Sequence, residues 1–177
     1  MSTNTLRTVD EFARMRTLDT EAYELVEGEL VPLSSPTPEH NRIKRRLERK
    51  LEDYFELHPV GEPMSETDCR IIDNVRRPDV MVFLSDRAAQ IDEYRVPVPV
   101  APDIAIEVVS PNESAVDIRR KEKEYLAGGC QEIWIVDHSN DEIWIYTTTG
   151  ARLIPGDATL ETPLLPSFSV SVAELLR

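Results

Sequence analysis

The amino-acid sequence predicts an α/β (α+β) fold in which a central mixed β-sheet is flanked by helices. Strand-like apolar stretches fill the middle of the chain, and helical patterns lie before, between and after them. Two pairs of strands are joined by short turns, which indicates antiparallel hairpins and disfavours a doubly wound parallel sheet. With 177 residues, we expect a single domain over residues 1–177 with a sizeable core.

The composition is typical of a globular protein, with 41% hydrophobic and 30% charged residues. No apolar run reaches the roughly 18 to 20 residues that a membrane-spanning helix needs, and the N-terminus lacks the apolar core of a secretory signal. We therefore expect a cytoplasmic protein. Cys69 and Cys130 are far apart and have no CxxC or Cys/His companions, so we expect reduced, structural cysteines.

The N-terminal part predicts a short helix followed by a β-hairpin. In residues 8–16, Thr8 can cap a helix, and Glu11 three residues later completes a capping box. Residues 23–33 contain two short alternating apolar runs around a Glu-Gly pair, which indicates a hairpin.

Residues 38–57 predict one amphipathic helix. His40 lies at the N-terminal end of its apolar face. The apolar residues of that face recur at spacings of four, four and three: Ile43, Leu47, Leu51 and Tyr54.

The middle of the chain predicts three strands. Residues 69–73 and 79–84 form two of them, joined by the polar segment "NVRRP", and Pro78 marks the entrance to the second. A Pro-rich loop follows over residues 91–102, and the third strand begins near Asp103.

The C-terminal third predicts a helix and a second hairpin. The helix covers residues 114–127 and ends at Gly128-Gly129. The strands "EIWIVD" and "DEIWIY" follow, separated by "HSN". Trp134 and Trp144 alternate with Ile and Val there, so we expect them to pack in the core or across strands. The tail "SVSVAELLR" ends in a short helix.

Glu107 is the first candidate site residue, because it stands in the apolar strand "PDIAIEVVSP". Burying a carboxylate is costly unless a cation or a metal compensates it. At 100° per residue, Lys121 falls on the inward side of the helix that follows, whereas Lys123 points outward. Lys121 could therefore reach Glu107, or it could form an exposed pair with Asp117. The sequence leaves both alternatives open.

Asp79 is the second candidate, because it opens a strongly apolar strand and should lie at a strand end facing a cleft. Asp79 and Glu107 together suit a hard divalent cation such as Mg²⁺ or Mn²⁺. Such a cation could polarise a phosphodiester and lower the pKa of a bound water, while the Lys121 ammonium stabilises the transition state. The predicted catalytic residues are Asp79, Glu107 and Lys121, and the predicted metal ligands are the two acids.

The net charge of −13 argues against a general electrostatic grip on nucleic acid. The basic segments 41–50 and 118–123 could still contact phosphates, or they could be solvated helix faces. The candidates for nucleic-acid binding are Arg42, Arg45, Arg46 and Arg49.

Across nearly its whole length, the chain resembles the Uma2 family of restriction-endonuclease-like domains in the PD-(D/E)XK nuclease superfamily. The resemblance rests on "YELVEGEL", "SPTPEH", "RPDV", "PDIAIEVVSP", the pattern D-x-x-x-K-x-x-x-Y that begins at Asp117, and "GGCQEIWIVD". It implies a central mixed sheet flanked by helices and assigns metal binding to Asp79 and Glu107. The superfamily lysine stands two residues after the second acid. That position is Val109 here, and the resemblance implies that Lys121 replaces it.

Two further polar positions match the family pattern and are candidate accessory residues. Glu24 could be a third acid or a strand-surface residue, and His40 could contact phosphate or cap its helix.

The residues and the resemblance together predict a metal-dependent DNA endonuclease. The alternative is a catalytically weak or inactive nuclease-fold domain that binds nucleic acid or another protein, because a fold does not prove activity. We also expect a homodimer, since a two-fold dimer matches the symmetry of a duplex. The sequence contains no GxSxG elbow, GxxxxGK loop or GxGxxG fingerprint, so serine-hydrolase and nucleotide sites are not expected.

Overall fold

A six-stranded mixed sheet forms the centre of the computed structural model, which describes residues 7–15, 23–33, 35–111 and 113–177. The helices are α1 (Val9–Arg14), α2 (Pro38–Leu57), α3 (Ser85–Ala88), α4 (Ala115–Ala127) and α5 (Val172–Leu176). The strands are β1 (Tyr23–Val26), β2 (Glu29–Pro32), β3 (Gly61–Ser65), β4 (Cys69–Ile71), β5 (Asn74–Arg76), β6 (Val80–Leu84), β7 (Ile104–Val108), β8 (Glu132–Asp137), β9 (Glu142–Thr147), β10 (Gly150–Pro155), β11 (Thr159–Glu161) and β12 (Ser169–Ser171). Within the described ranges, no helix combines the length and the apolar character that crossing a membrane requires.

The central sheet has the strand order β10-β9-β8-β7-β6-β3. Its β7 and β8 run parallel, whereas the other neighbouring strands are antiparallel, so the predicted mixed sheet is confirmed. Parallel neighbours need a crossover connection, and α4 provides it. The Ser114 hydroxyl caps this helix by accepting a 3.2 Å hydrogen bond from the backbone N–H of Asp117. The end of β7 therefore leads directly into a helix that packs back on the sheet.

The inner strands β6, β7 and β8 are buried on both faces of the central sheet, as the alternation along β6 illustrates. Val80 and Val82 belong to the core cluster that contains α2, whereas Met81 and Phe83 belong to the cluster that contains Tyr125 of α4. The helices α2 and α4 thus cover opposite faces. The buried apolar face of α2 includes the four residues that the spacing predicted: Ile43, Leu47, Leu51 and Tyr54.

A second sheet, with the order β2-β1-β5-β4, carries the predicted N-terminal hairpin. Its turn places Glu27 and Gly28 at φ values of 50° and 81°, in the left-handed region that glycine adopts readily. Before this hairpin, Thr8 and Glu11 form the predicted capping box on α1. Because β1 pairs with β5, the hairpin lies beside the segment that leads into β6.

The segment 74–78 differs from its prediction as a polar linker, because it contains β5, which pairs with β1 and β4. The prediction of a linker was therefore wrong. The sequence did not reveal β5, because three residues are too few to show an alternating pattern. Both cysteines are free and buried, and Trp134 is part of the core, as expected.

Candidate active site

A cleft of about 450 Å³ opens where β7 ends and β6 begins, and it collects the predicted catalytic residues. Carboxylates dominate its charged lining. The acidic side chains are Glu24, Glu66, Asp79, Glu107 and Glu113, and the basic or titratable ones are His40, Arg77 and Lys121.

A larger groove of about 700 Å³ is lined by β9, β10 and the segment that carries β11 and β12. Its buried carboxylate, Glu132, accepts hydrogen bonds from the Trp134 indole and the Thr162 hydroxyl, each at 2.7 Å. Among the described residues, this groove is lined by two carboxylates, Glu132 and Glu161, whereas five carboxylates line the smaller cleft together with His40 and Lys121. The smaller cleft therefore has more groups for acid-base and metal chemistry.

Glu107 lies on β7 and is only 5% exposed, yet both of its oxygens have partners. Its Oε2 lies 2.9 Å from Lys121 Nζ, and its Oε1 accepts a 2.7 Å hydrogen bond from the Tyr125 hydroxyl. Lys121 and Tyr125 are one turn apart on α4, so one helix face reaches the strand. Asp117, the alternative partner of Lys121, pairs with Arg120. The structure therefore favours the first of the two alternatives.

The ion pair of Glu107 and Lys121 lies in a cleft with an excess of negatively charged side chains. Burial raises the pKa of Glu107 to about 7 against the opposing effect of the Lys121 ammonium, and the Asp79 carboxylate contributes to the rise. Burial alone would lower the pKa of Lys121, but Glu107 and Glu113 raise it above its usual value. One ammonium thus faces several carboxylates, an arrangement that favours binding of a further cation.

Asp79 immediately precedes β6, the antiparallel neighbour of β7, and so lies at the same end of the sheet as Glu107. Its Oδ2 accepts a 2.8 Å hydrogen bond from the backbone N–H of Val108 and lies 3.1 Å from His40 Nε2. Its Oδ1 accepts no hydrogen bond from the described residues. One oxygen therefore fixes the carboxylate, while the other is available to a ligand.

His40 stands in the first turn of α2 and is 5% exposed. The cap of α2 is Thr37, so the interpretation of His40 as a helix cap is wrong. Burial alone would lower the pKa of His40, but the hydrogen bond to Asp79 and its charge raise it. Within the described part of the chain, the other ring nitrogen, Nδ1, is buried without a hydrogen-bond partner.

The donor chemistry at this end of the cleft fits a hard divalent cation. Asp79 and Glu107 offer carboxylate oxygens from neighbouring strands, and Mg²⁺ is commonly held by one or two carboxylates while it keeps several waters. No group of three or more His, Cys, Asp or Glu side chains in the described residues could hold a metal ion. The fit is therefore to a cation held by two carboxylates, not to a closed protein cage.

Glu24 lines the cleft but takes part in a buried ion-pair network. Its oxygens lie 2.8 Å from Arg76 Nη1 and 2.9 Å from the backbone N of Arg77. Arg76 is 1% exposed and also contacts Glu124 of α4 at 2.6 Å. This network ties β1, β5 and α4 together close to Asp79. A role for Glu24 as a third acid stays a prediction.

The four arginines of α2 that were predicted to bind nucleic acid divide into two groups. Arg46 donates from Nη1 and Nη2 to the backbone carbonyls of Leu175 and Arg177, at 3.0 and 2.6 Å, and so holds α5. The second group consists of the exposed arginines Arg42, Arg45 and Arg49. They have no ion-pair or hydrogen-bond partner among the residues that the structure describes. Their spacing of i, i+3 and i+7 places them in one stripe along the helix.

Two of the carboxylates that line the cleft escaped the sequence analysis. Glu113 precedes the cap of α4, and its Oε1 lies 2.8 Å from Lys121 Nζ. Glu66 follows β3, and its Oε1 contacts Lys44 of α2 at 2.6 Å. Neither glutamate belongs to a periodic pattern, so the sequence carries no signal for them. Tyr125 stands four residues after Lys121, and this spacing could have predicted its contact with the same strand.

The chain matches one family model, and solved structures resemble its fold. A model of the Uma2 family, described as "Putative restriction endonuclease", matches residues 9–173. Among solved structures, the "putative nuclease belonging to DUF820" from Anabaena variabilis ATCC 29413 has a TM-score of 0.82 at 22% identity, over 96% of this chain and 97% of that chain. At this identity the likeness shows a common fold. No curated protein matches the chain.

Proposed function

The chain belongs to the Uma2 family of restriction-endonuclease-like proteins, and from this premise we propose that it is a metal-dependent endonuclease that hydrolyses phosphodiester bonds in DNA. The observation that carries the proposal is the convergence of Asp79, Glu107 and Lys121 in one acidic cleft. The three side chains come from the start of one strand, the next strand and the following helix, so the fold itself brings them together.

In this proposal, Asp79 and Glu107 hold Mg²⁺ or Mn²⁺. The bound cation supplies Lewis-acid polarisation of the phosphodiester and makes water easier to deprotonate. The Lys121 ammonium donates a hydrogen bond to a phosphate oxygen and so stabilises the additional negative charge that develops there in the transition state. His40 fixes the orientation of Asp79, and Tyr125 fixes that of Glu107, because each contacts one oxygen of its carboxylate.

The proposed substrate is DNA, and the exposed arginines of α2 are the proposed phosphate contacts. Arginine suits this role because its planar guanidinium binds phosphate oxygens in pairs. The net charge of −13 opposes binding at a distance, so the contacts must be local. The arginines that support the proposal by their exposure are Arg42, Arg45 and Arg49.

We further propose that the protein acts as a homodimer. One chain provides one cleft, whereas the two strands of a duplex run in opposite directions and are related by two-fold axes. A dimer with two-fold symmetry would present two clefts in the matching orientation.

The test is cleavage of plasmid and single-stranded DNA with Mg²⁺ or Mn²⁺, with and without a chelator. Wild-type protein should cleave only when a divalent cation is present. Lys121→Ala should lose roughly 10²- to 10³-fold in rate, the cost of removing one charge-stabilising donor. Lys123→Ala is the matched control on the same helix and should cleave like the wild type, because Lys123 is exposed.

Equal rates for the two folded lysine variants would contradict the role given to Lys121. A wild-type protein that binds DNA but cleaves neither substrate with either cation would favour the alternative function, a nuclease-fold domain that only binds.

A further inference from the structure

We propose that Glu113 is a positioning residue that holds the Lys121 ammonium in the cleft when a divalent cation occupies Glu107. The inference rests on the proposed function, because it concerns the same cation. It adds a residue that belongs to neither the predicted catalytic set nor the metal ligands, and that acts only through Lys121.

The geometry shows one ammonium shared between two carboxylates. Lys121 Nζ lies 2.9 Å from Glu107 Oε2 and 2.8 Å from Glu113 Oε1. The exposed fractions of the three side chains are small, at 17% for Lys121, 7% for Glu107 and 14% for Glu113. The lysine therefore depends on these two carboxylates rather than on water for its stabilisation.

A cation bound at Glu107 changes this balance. The cation competes with the Lys121 ammonium for the negative charge of Glu107. It also repels the ammonium, since both carry positive charge. A largely buried ammonium without a carboxylate partner is strongly unfavourable, so its loss of Glu107 would oppose cation binding. Glu113 removes this opposition, because Lys121 keeps one carboxylate when the other turns to the cation.

The position of Glu113 in the chain suits this role. It stands in the connection between β7 and α4, directly before the cap residue Ser114, so the turn that carries it is anchored at both ends. Glu113 therefore also restricts how far Lys121 can move from the strand ends. The ammonium stays beside the acids, where it is needed for the proposed reaction.

Glu66 provides a control for the loss of one negative charge. It lines the same cleft and carries the same charge, but its partner is Lys44 of α2, not Lys121. Glu66→Gln and Glu113→Gln each remove one negative charge from the cleft. Glu66 is 60% exposed and Glu113 is 14% exposed, so a general electrostatic effect would be weaker in Glu66→Gln. A positioning effect of Glu113 is therefore identified by its dependence on Lys121, which a general effect does not share.

The experiment is calorimetric titration of the full-length protein with Mn²⁺. Glu113→Gln should raise the Kd for Mn²⁺ by roughly 10- to 100-fold, the range seen when residues that support metal ligands are replaced. Glu66→Gln should raise it much less. In a Lys121→Met background, Glu113→Gln should raise the Kd much less than it does when Lys121 is present, because no ammonium remains to be held.

Each outcome separates the two proposals. If the wild-type protein binds no Mn²⁺, both the proposed metal site and this inference are overturned. If it binds Mn²⁺ but the two glutamine variants have the same Kd, or if the effects of Lys121→Met and Glu113→Gln are additive, only the inference fails. Urea unfolding shows whether each variant is folded. If Glu113→Gln is unstable, Glu113→Ser takes its place in the same comparison.

Discussion

Arg76 shows, at the scale of single residues, how this fold accommodates buried charge. It is 1% exposed and lies between Glu24 of β1 and Glu124 of α4, at 2.8 and 2.6 Å. The two carboxylates raise the pKa of Arg76 further above its usual value although burial opposes this, so the guanidinium is always charged. The sequence gives no hint of this role, because "NVRRP" has the composition of an exposed linker. Lys121, in contrast, was predictable, because helical periodicity alone turns it inward.

Replacing Arg76 should therefore destabilise the protein strongly. Arg76→Met leaves the buried Glu24 carboxylate without its ion-pair partner, while Glu124 keeps only a 3.9 Å contact with Arg120 among the residues that the structure describes. This should cost about 3–5 kcal/mol in the free energy of unfolding. Arg119→Met is the control, since Arg119 pairs with Glu122 at 3.4 Å on the surface of α4. Its loss should lie within roughly 0–1 kcal/mol. Urea unfolding at neutral pH measures both, and similar losses for the two variants would show that the buried network contributes little.

At the scale of elements, α2 combines two tasks on different faces. Its apolar face covers the sheet and brings His40 to Asp79, whereas its polar face carries the exposed arginines. Arg46 lies between these faces and is committed to α5. Sequence alone predicted the helix and its buried face because the spacing is regular. It could not separate Arg46 from its neighbours, since the partner lies about 130 residues away in the chain.

The adjacent residues Arg45 and Arg46 should therefore respond differently to the same substitution. Arg45→Gln should weaken DNA binding for all sequences and reduce the slope of log K against log salt by about 1, because one phosphate contact is lost. Its stability should not change. Arg46→Gln should lower the stability through its lost contacts with α5 and leave the salt slope near that of the wild type. Fluorescence anisotropy at several salt concentrations and urea unfolding test this, and an unchanged slope for Arg45→Gln would remove the α2 surface from the DNA-binding proposal.

Two of the unpredicted strands, β3 and β10, share a physical explanation. They lie at the two edges of the central sheet, where each pairs with a single neighbouring strand among the residues that the structure describes. β3 contains Pro63, which suits an edge strand but looks like a strand breaker in the sequence. β10 is mostly exposed and so lacks alternating apolar residues. β3 forms because it pairs with β6, and β10 forms because it pairs with β9. The intrinsic strand propensity of their own residues contributes less. Of the inner strands, β6, β7 and β8 are almost entirely buried and were recognisable as continuous apolar runs, whereas β9 was recognisable because buried and partly exposed residues alternate along it.

At the scale of the whole molecule, the charge distribution bears on how DNA could reach the cleft. The chain carries a net charge of −13, and five carboxylates line the cleft. A phosphate group would meet repulsion on both counts. A divalent cation between the acids would reverse the sign of the local interaction, which supports the proposed dependence of cleavage on Mg²⁺ or Mn²⁺. The same net charge also influences how two copies of the chain associate.

The proposed homodimer can be tested through its mass in solution and its cleavage products. Light scattering should give twice the 20.2 kDa mass of one chain at the concentrations used for cleavage. Because each chain is strongly negative, added salt should favour the dimer by screening the repulsion between chains, whereas the same salt should weaken DNA binding. A dimer with two clefts should also convert supercoiled plasmid to the linear form without accumulating nicked circles, since both strands are cut in one encounter. A mass of 20.2 kDa at every salt concentration, together with nicked circles as the main product, would show that the protein acts as a monomer that cuts one strand at a time.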